Sequence, residues 1–456
     1  MEEDLKKMLS KIAMTIRSLS MDAVQKANSG HPGMPMGCAE LGAYLYGSLL
    51  RHNPKNSKWL NRDRLVLSAG HGSMWLYSCL HLSGFKLSLD EIKRFRQLGS
   101  LTPGHPEYGL TDGVEATTGP LGQGVGNAVG LALGFKILAE KFNRDGFPIF
   151  NQKVYCIAGD GCIMEGVTSE ASSLAGHLQL NNLVLIYDSN QICLDGKLTE
   201  CCSEETKARY KAYGWDVYEI DGYDFDEMEK VFGNLSIKQD RPAFVILHTV
   251  IGKGSPHKAG SSKAHGSPLG PEEVALTKEA LGLPQEEFYV PQPVRQYFEN
   301  RLEKDAALEA EWNQLYKRWA GDHPELAAEF EQMRTQYLPP DLEKRLSEVE
   351  IKAPIAGRAA SSAVLQVLGK TLPQMYGGSA DLSVSDLTMM KEFPIISPGK
   401  FSGRNIKFGV REFGMGTASN GLFLTGMITP YCGTFFTFSD YMRNSIRLAA
   451  LSHYHV

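Results

Sequence analysis

Asp160 and Asn190 carry the side chains whose types and spacing point first to chemistry. Asp160 stands in Gly159-Asp160-Gly161, straight after an apolar run, and Asn190 stands in Asp188-Ser189-Asn190, straight after another. A carboxylate, an amide oxygen and a nearby free backbone carbonyl make a hard oxygen site suited to Mg²⁺, with Ca²⁺ also open, and leave positions for water or phosphate oxygens. Taken alone, Gly-Asp-Gly reads equally well as a turn; the spacing to Asn190 favours the ligand. Three histidines follow a second pattern. His31, His71 and His105 each sit beside glycine or proline, in SGHPG, AGHGS and PGHPE. Each by itself could be an ordinary loop residue. Together they suggest functional groups displayed at element ends, where imidazole donates to a phosphate oxygen or sugar hydroxyl and moves protons near neutral pH. His265 lies in a polar loop, residues 252–270, whose lysines and imidazole could close over an anion; the plainer reading is a surface loop.

These residues need a scaffold. Residues 154–158 and 183–187 are short apolar runs flanking a helical pattern over 165–178, which makes one βαβ unit. Its strands are parallel and adjacent, so Asp160 and Asn190 emerge on one edge of the sheet. Helical spacing also marks residues 5–27, 36–50, 73–82 and 127–140, and strands are expected at 64–68, 215–220 and 243–250. The stretch GPLGQGVG is not a dinucleotide fingerprint, because its glycines are not spaced G-x-G-x-x-G and no good strand precedes it. Residues 271–346, rich in Glu, Lys, Arg and Ala with Trp312 and Trp319 at helical spacing, read as a helical connector. Beyond residue 351 come a helix with Arg358, a strand at 375–377, a strand at 405–410 that ends in Arg411-Glu412, a glycine-rich helix over 413–424 and a strand at 428–431. Phe435, Phe438 and Tyr441 then line one face of a further helix; by spacing alone they are core residues. The fold class is α/β with parallel sheets.

Bulk properties narrow the function. A net charge of −5 and a pI near 6.2 give no footprint for nucleic acid or an anionic membrane. The cysteines show no C-x-x-C pair and no zinc-finger spacing, which suggests a reducing, cytoplasmic setting. The amino terminus is acidic and amphipathic, unlike a signal peptide, and no apolar stretch reaches the length of a membrane span.

In order along the chain, SGHPGMPMG, LSAGHGS, TPGHPE, TTGPLGQG, GDGCIMEG, DSNQI, GGSADL, GVREFGM and the F-x-x-F-x-x-Y stretch resemble the transketolase family of thiamine diphosphate enzymes. The likeness runs through essentially the whole chain. It implies a thiamine diphosphate-binding fold: a diphosphate- and Mg-binding domain over 1–270, a helical connector over 271–350, and an incomplete pyrimidine-binding domain over 351–456. It implies metal ligands at Asp160, Asn190 and the Ile192 carbonyl. His71, Gly119, Leu121, Gly161, Asn190 and His265 would meet the cofactor. His31, His105 and His265 would touch the donor sugar and take part in catalysis, and Arg358, Asp381 and Ser385 would hold substrate. The resemblance gives Glu412 the central part, a carboxyl bonded to N1′ of the aminopyrimidine that favours the tautomer able to deprotonate C2 of the thiazolium. A carboxyl buried among aromatic rings has a raised pKa and can hold or hand over a proton near neutrality. Phe435, Phe438 and Tyr441 become the pyrimidine pocket.

The implied reaction moves a two-carbon ketol unit from a ketose phosphate of the xylulose 5-phosphate type to ribose 5-phosphate or erythrose 4-phosphate, as in the pentose phosphate pathway. The implied assembly is a homodimer with active sites between subunits and Glu412 reaching across from a second copy; neither nucleic acid nor membrane is a partner. The chain ends at Val456 inside the second domain of the resemblance, so a separate C-terminal segment is expected to be needed and full activity of this chain alone is not expected. The alternatives are dihydroxyacetone synthase and an inactive cofactor-binding fragment.

Overall fold

Strand β2 (Val154–Gly159) is buried at every residue up to Gly159, and β3 (Leu183–Ser189) is buried throughout. Such continuous apolar runs belong to strands covered on both faces of a parallel sheet. In the computed structural model, which describes all 456 residues, they pair in parallel with Gly159 opposite Asp188. The expected βαβ unit forms, and residues 160 and 190 leave the sheet at the same edge. With β1 (Arg64–Leu67), β4 (Asp216–Asp221) and β5 (Ala243–His248) they make a five-stranded parallel sheet in the order β1-β2-β3-β5-β4.

The chain forms two compact units that interleave in sequence. The first comprises Met1–Val125, Gln152–Glu165 and Leu183–Glu311 and holds the five-stranded sheet. Its first helix, Glu3–Ala27, stops at Asn28, whose φ of 48° is left-handed. On that helix Asp22 is buried and bonded to Lys278 Nζ at 2.8 Å and to the Phe288 amide at 2.8 Å, which fastens the segment after the polar loop. The single helix expected over residues 36–50 is broken into Gly33–Gly37, Ala39–Tyr44 and a π-turn, Leu45–Leu49. Long-range packing accounts for the break. A Cβ on Gly37 would come within 3.0 Å of the Val250 carbonyl, and one on Gly42 within 2.8 Å of the Trp75 ring, so the chain bends to keep both contacts.

The second unit comprises Gly126–Asn151, Gly166–Asn182 and Trp312–Val456. Its sheet is parallel, with β6 (Met375–Ser379) between β7 (Asn405–Lys407) and β8 (Thr429–Gly433). Strand β7 ends three residues sooner than expected. Gly409, at φ 68°, turns the chain, and Arg411 Nη1 donates to the Phe408 carbonyl at 2.8 Å, so Glu412 opens the next helix, Glu412–Phe423. That helix lies against the Gln123–Phe142 helix at bare backbone: a Cβ on Gly130 would sit 2.0 Å from the Ala418 carbonyl. A short additional helix, Asp160–Met164, ends at Glu165, which is extended with ψ 133°, and the helix expected over 165–178 then forms as Gly166–Leu178. Only Gly166–Leu178 belongs to this unit.

Residues 271–347 carry four helices, Pro271–Ala280, Gln292–Asp322, Pro324–Arg334 and Leu342–Ser347. Trp319 is fully buried against Phe142 and Phe330, and Trp312 donates to the Ile149 carbonyl at 2.8 Å. No helix is long and apolar enough to cross a membrane.

Candidate active site

The carboxyl ends of β2 and β3 open into a cavity of about 420 Å³ in the first unit. Asp160, Gly161, Asn190 and Ile192 line it together with His31, His71, His105, Gly119, Leu121 and His265. Residues expected to act together from seven separate stretches of sequence therefore share one wall. Ligands bind outside the carboxyl ends of strands in open α/β sheets for this topological reason.

Asp160 is the polar anchor. Its Oδ1 accepts from the Tyr187 hydroxyl at 2.5 Å, while Oδ2 is buried with no partner. Burial pushes the carboxyl up to about 7, the Tyr187 hydroxyl pulls against that rise and Asp188 adds to it. An unpartnered buried oxygen on a group that is reluctant to ionise marks a place for positive charge. Asn190 is oriented by its neighbours. Its amide nitrogen donates to Asp188 Oδ2 at 2.9 Å and its oxygen accepts from the Ile192 amide at 3.1 Å, leaving one lone pair. Asp188 is itself held by the Thr249 hydroxyl. Between them Gln191 has φ 62°, a left-handed conformation that folds residues 190–192 into a tight turn.

The imidazoles form one cluster. The His31 ring lies 5.2 Å from His71, 6.1 Å from His105 and 6.0 Å from His265, and His71 stacks on His265 at 5.1 Å. Burial lowers all four, and the Arg96 guanidinium adds to the effect at His31 and His105: His31 is held at about 4 and His71 at about 3. They are neutral near pH 7, and the Nδ1 atoms of His31 and His265 are buried without partners. Neutral rings can each offer one donor and one acceptor to a polar ligand. Gly119 belongs here for steric reasons. Its φ is 135°, and a Cβ would press on the His105 ring at 3.2 Å.

The polar loop contributes less than expected. Only His265 turns to the cavity. Lys253 sits over the Tyr223 ring, Lys258 donates to the Leu269 carbonyl at 2.6 Å, and Lys263 is exposed. No group of three or more His, Cys, Asp or Glu side chains is placed to hold a metal ion by itself. A cation beside Asp160 must take most of its oxygens from water or from an anionic ligand, which fits Mg²⁺ held together with a diphosphate.

The second unit holds the remaining expected residues. Glu412 is 9 % exposed at the start of its helix, and the following turn is fixed by the Gly414 amide donating to Glu170 Oε2 at 2.6 Å. Burial raises the Glu170 carboxyl, the Gly414 bond lowers it and Glu412 raises it again. Phe435, Phe438 and Tyr441 lie along a 3-10 helix, Phe436–Met442, with Phe435 just before it, and not along the α-helix expected. At three residues per turn, side chains three apart eclipse one another. The rings are accordingly spaced 6.2 and 6.3 Å apart. Arg358, Asp381 and Ser385 are exposed, Asp381 at a left-handed φ of 62°.

Sequence reasoning missed Tyr187, Glu170 and the orienting part of Asp188. The signal for Asp188 is an acid inside an otherwise apolar, fully buried strand. Glu170 is one of many acids at helical positions, with nothing local to single it out.

Comparison with known proteins adds family evidence. The model described as "Transketolase, thiamine diphosphate binding domain" matches residues 8–339, and "Transketolase, pyrimidine binding domain" matches 353–456. The transketolase of Halalkalibacterium halodurans is 51% identical over 439 residues, 96% of this chain and 66% of that protein. That of Geobacillus stearothermophilus is 50% identical over 440 residues, 96% of this chain and 66% of that protein. Among solved structures, transketolase from Leishmania mexicana is similar with a TM-score of 0.95 and 41% identity, covering 98% of this chain and 67% of that one. A Pichia stipitis transketolase in complex with sedoheptulose-7-phosphate is similar with a TM-score of 0.94 and 41% identity, covering 99% and 67%. The chain thus spans about two thirds of the length of these relatives.

Proposed function

The chain belongs to the transketolase family, and from that premise we propose that it forms the cofactor-binding part of an enzyme that transfers a two-carbon ketol unit between sugar phosphates. The single observation that carries this reading is the cavity at the ends of β2 and β3, whose lining combines Asp160, with its unpartnered Oδ2, and four histidines. When bound, thiamine diphosphate supplies a carbon nucleophile and accepts the electron pair of the broken carbon–carbon bond.

The protein's own share is positioning and proton handling. Asp160, Asn190 and the Ile192 carbonyl would hold Mg²⁺, a hard cation suited to oxygen ligands. His71 and His265 sit beside the diphosphate and thiazolium. Being neutral, they donate without bringing a second cation next to the metal. Gly119, Leu121 and Gly161, which line the cavity, would pack against the cofactor. His31 and His105 bond the hydroxyls of the donor sugar and, with His265, relay its protons. Glu412 holds a proton at the ring nitrogen of the aminopyrimidine, against Phe435, Phe438 and Tyr441. Arg358, Asp381 and Ser385 meet the sugar phosphate, for which the guanidinium supplies a fork of donors. The sugar-phosphate complex of the Pichia stipitis relative supports that substrate class. Pairing of two copies is supported by the exposure of Phe436 at 93 % and Tyr441 at 66 %, apolar surface that a partner would cover.

The test is calorimetric titration of thiamine diphosphate with Mg²⁺ into the chain, beside Asp160→Ala and Glu412→Ala. The expected result is binding by the unsubstituted chain, loss in Asp160→Ala and retained diphosphate anchoring in Glu412→Ala. Absence of heat from a folded, unsubstituted chain overturns the proposal. For turnover, the chain is assayed with xylulose 5-phosphate and ribose 5-phosphate in the presence of a segment that supplies the part of the longer relatives' length it does not cover; persistent inactivity of the cofactor-loaded complex counts against ketol transfer.

A further inference from the structure

Asp381 and Ser385, proposed to meet the sugar phosphate, stand on one loop, residues 380–388, that leaves the middle strand of the second sheet. The three strands of that sheet end in register, with Ser379 of β6 opposite Lys407 of β7 and Gly433 of β8. Each strand also reaches the loop. Ser379 Oγ donates to Asp386 Oδ2 at 2.5 Å and accepts from the Leu382 amide at 3.2 Å. Lys407 Nζ donates to the Ser383 hydroxyl, and on β8 the Tyr431 hydroxyl donates to the Thr388 carbonyl at 2.8 Å. Asp386 is the hub. It is buried, and its other oxygen, Oδ1, accepts from both the amide and the hydroxyl of Thr388, at 3.1 and 2.7 Å. All three donors to this carboxylate are neutral, so its bonds fix geometry and do not pair charge.

The backbone beside it is in an unfavourable conformation. Leu387, between Asp386 and Thr388, has φ 61°, and Asp381 at the start of the loop has φ 62°. A left-handed leucine persists only where surrounding contacts impose it. An aspartate oxygen bonded to the amide two residues on is a side-chain turn able to do so. Ser385 comes just before this turn, and its amide and that of Asp386 both donate to the Leu382 carbonyl, at 2.7 and 2.8 Å. We propose that Asp386 is a positioning residue for the substrate phosphate: by tying Thr388 to the end of β6, it holds the exposed Ser385 and Asp381 in the arrangement that receives the phosphate before the ligand arrives. The proposal rests on the reading that Ser385 meets the phosphate. A loop already ordered loses little freedom on binding, and affinity gains accordingly.

The test measures, by ligand-observed NMR, the affinity of the full chain for ribose 5-phosphate and for ribose, with Mg²⁺ and thiamine diphosphate present. The unsubstituted protein is compared with Asp386→Ala, Asp386→Asn, Ser379→Ala and Ser385→Ala, each checked for folding by circular dichroism. Asp386→Ala is expected to lower the affinity for ribose 5-phosphate roughly tenfold or more, as the loss of one hydrogen bond to a charged group does, with the affinities for ribose and cofactor unchanged. Asp386→Asn keeps an acceptor for Thr388 and is expected to recover part of the loss. Ser379→Ala frees the loop from β6 without touching the carboxylate; it is expected to act in the same direction and carries the test if Asp386→Ala does not fold. A structural role alone would weaken ribose, cofactor and phosphate binding together, and that result overturns the proposal. So does unchanged affinity in Asp386→Ala while Ser385→Ala binds more weakly, or no recovery in Asp386→Asn. If Ser385→Ala binds ribose 5-phosphate as tightly as the unsubstituted chain, or ribose 5-phosphate binds no tighter than ribose, the reading of Ser385 itself fails and the proposal falls with it.

Discussion

Tyr187→Phe tests how the cavity is built, because it removes one hydroxyl and leaves the ring and the strand in place. The Tyr187 hydroxyl donates to Asp160 Oδ1 at 2.5 Å, inside a buried site where the carboxyl is already raised to about 7. A hydrogen bond to an ionised group contributes about 1.5–3 kcal/mol. Its loss falls on the ionised form, so the variant's carboxyl holds its proton more tightly. A cation bound by Asp160 must displace that proton. At about 1.36 kcal/mol per tenfold, the apparent affinity for Mg²⁺ with thiamine diphosphate should fall roughly ten- to 150-fold at pH 6, where Asp160 is mostly protonated in both proteins. The sign follows from linkage. A raised carboxyl binds protons that the ligand-bound form does not, so affinity rises with pH through and above about 7 and the gap between the two proteins closes towards pH 10. Calorimetry on both proteins at a series of pH values measures this directly. Equal affinities at every pH would show that the hydroxyl does not act on Asp160. A deficit independent of pH would show that it acts only by orienting the carboxylate.

Three other outcomes are expected. The rings of His31 and His71, held at about 4 and 3, should stay neutral down to pH 5.5 when their nitrogen shifts are followed by NMR. Their lowered values mean that the unfolded chain binds more protons below about 6.5, so their contribution to stability is present above that pH and is lost as pH falls towards 3. Asp160 works in the opposite sense, so ring titration and not overall stability is the readout, and protonation of His71 near pH 6.5 would contradict the burial argument. Glu170→Ala should cost about 1.5–3 kcal/mol in urea unfolding through the lost bond to the Gly414 amide. Glu170→Gln, which keeps an acceptor, should cost less, and equal losses would refute the bond's part. Gly130→Ala should destabilise by about 1–3 kcal/mol because its Cβ would lie 2.0 Å from the Ala418 carbonyl. The gain of about 1 kcal/mol expected from helix propensity alone would, if observed, disprove that contact.

Much of the site was legible in the chain because its signals are local. Buried parallel strands announce themselves as continuous apolar runs, and β2 and β3 stand where those runs predict, with Asp160 and Asn190 just beyond them. Glycine and proline mark the loops that present His31, His71 and His105, because glycine widens and proline fixes the backbone's conformational range within a few positions. The same locality explains the errors. The helix predicted over 36–50 satisfies its own periodicity, yet Gly37 and Gly42 lie against Val250 and Trp75, contacts that no window of neighbours contains. The eclipsed rings after Phe435 have the same spacing in sequence whether the turn is α or 3-10.

What only the tertiary structure decided is which distant side chains meet. Tyr187 finds Asp160 because β2 and β3 pair with Gly159 opposite Asp188, and a shift of register would turn that hydroxyl elsewhere. The four imidazoles lose proton affinity because the fold buries them together in one wall. Glu170 matters because its helix lies at the start of the one opened by Glu412, where its carboxylate accepts from the Gly414 amide. The sequence determined residue types, element identity and the edge on which chemistry gathers, since these depend on backbone preference and hydrophobic period. Proton affinities and hydrogen-bond partners depend on distance and burial, and those exist only in the folded chain.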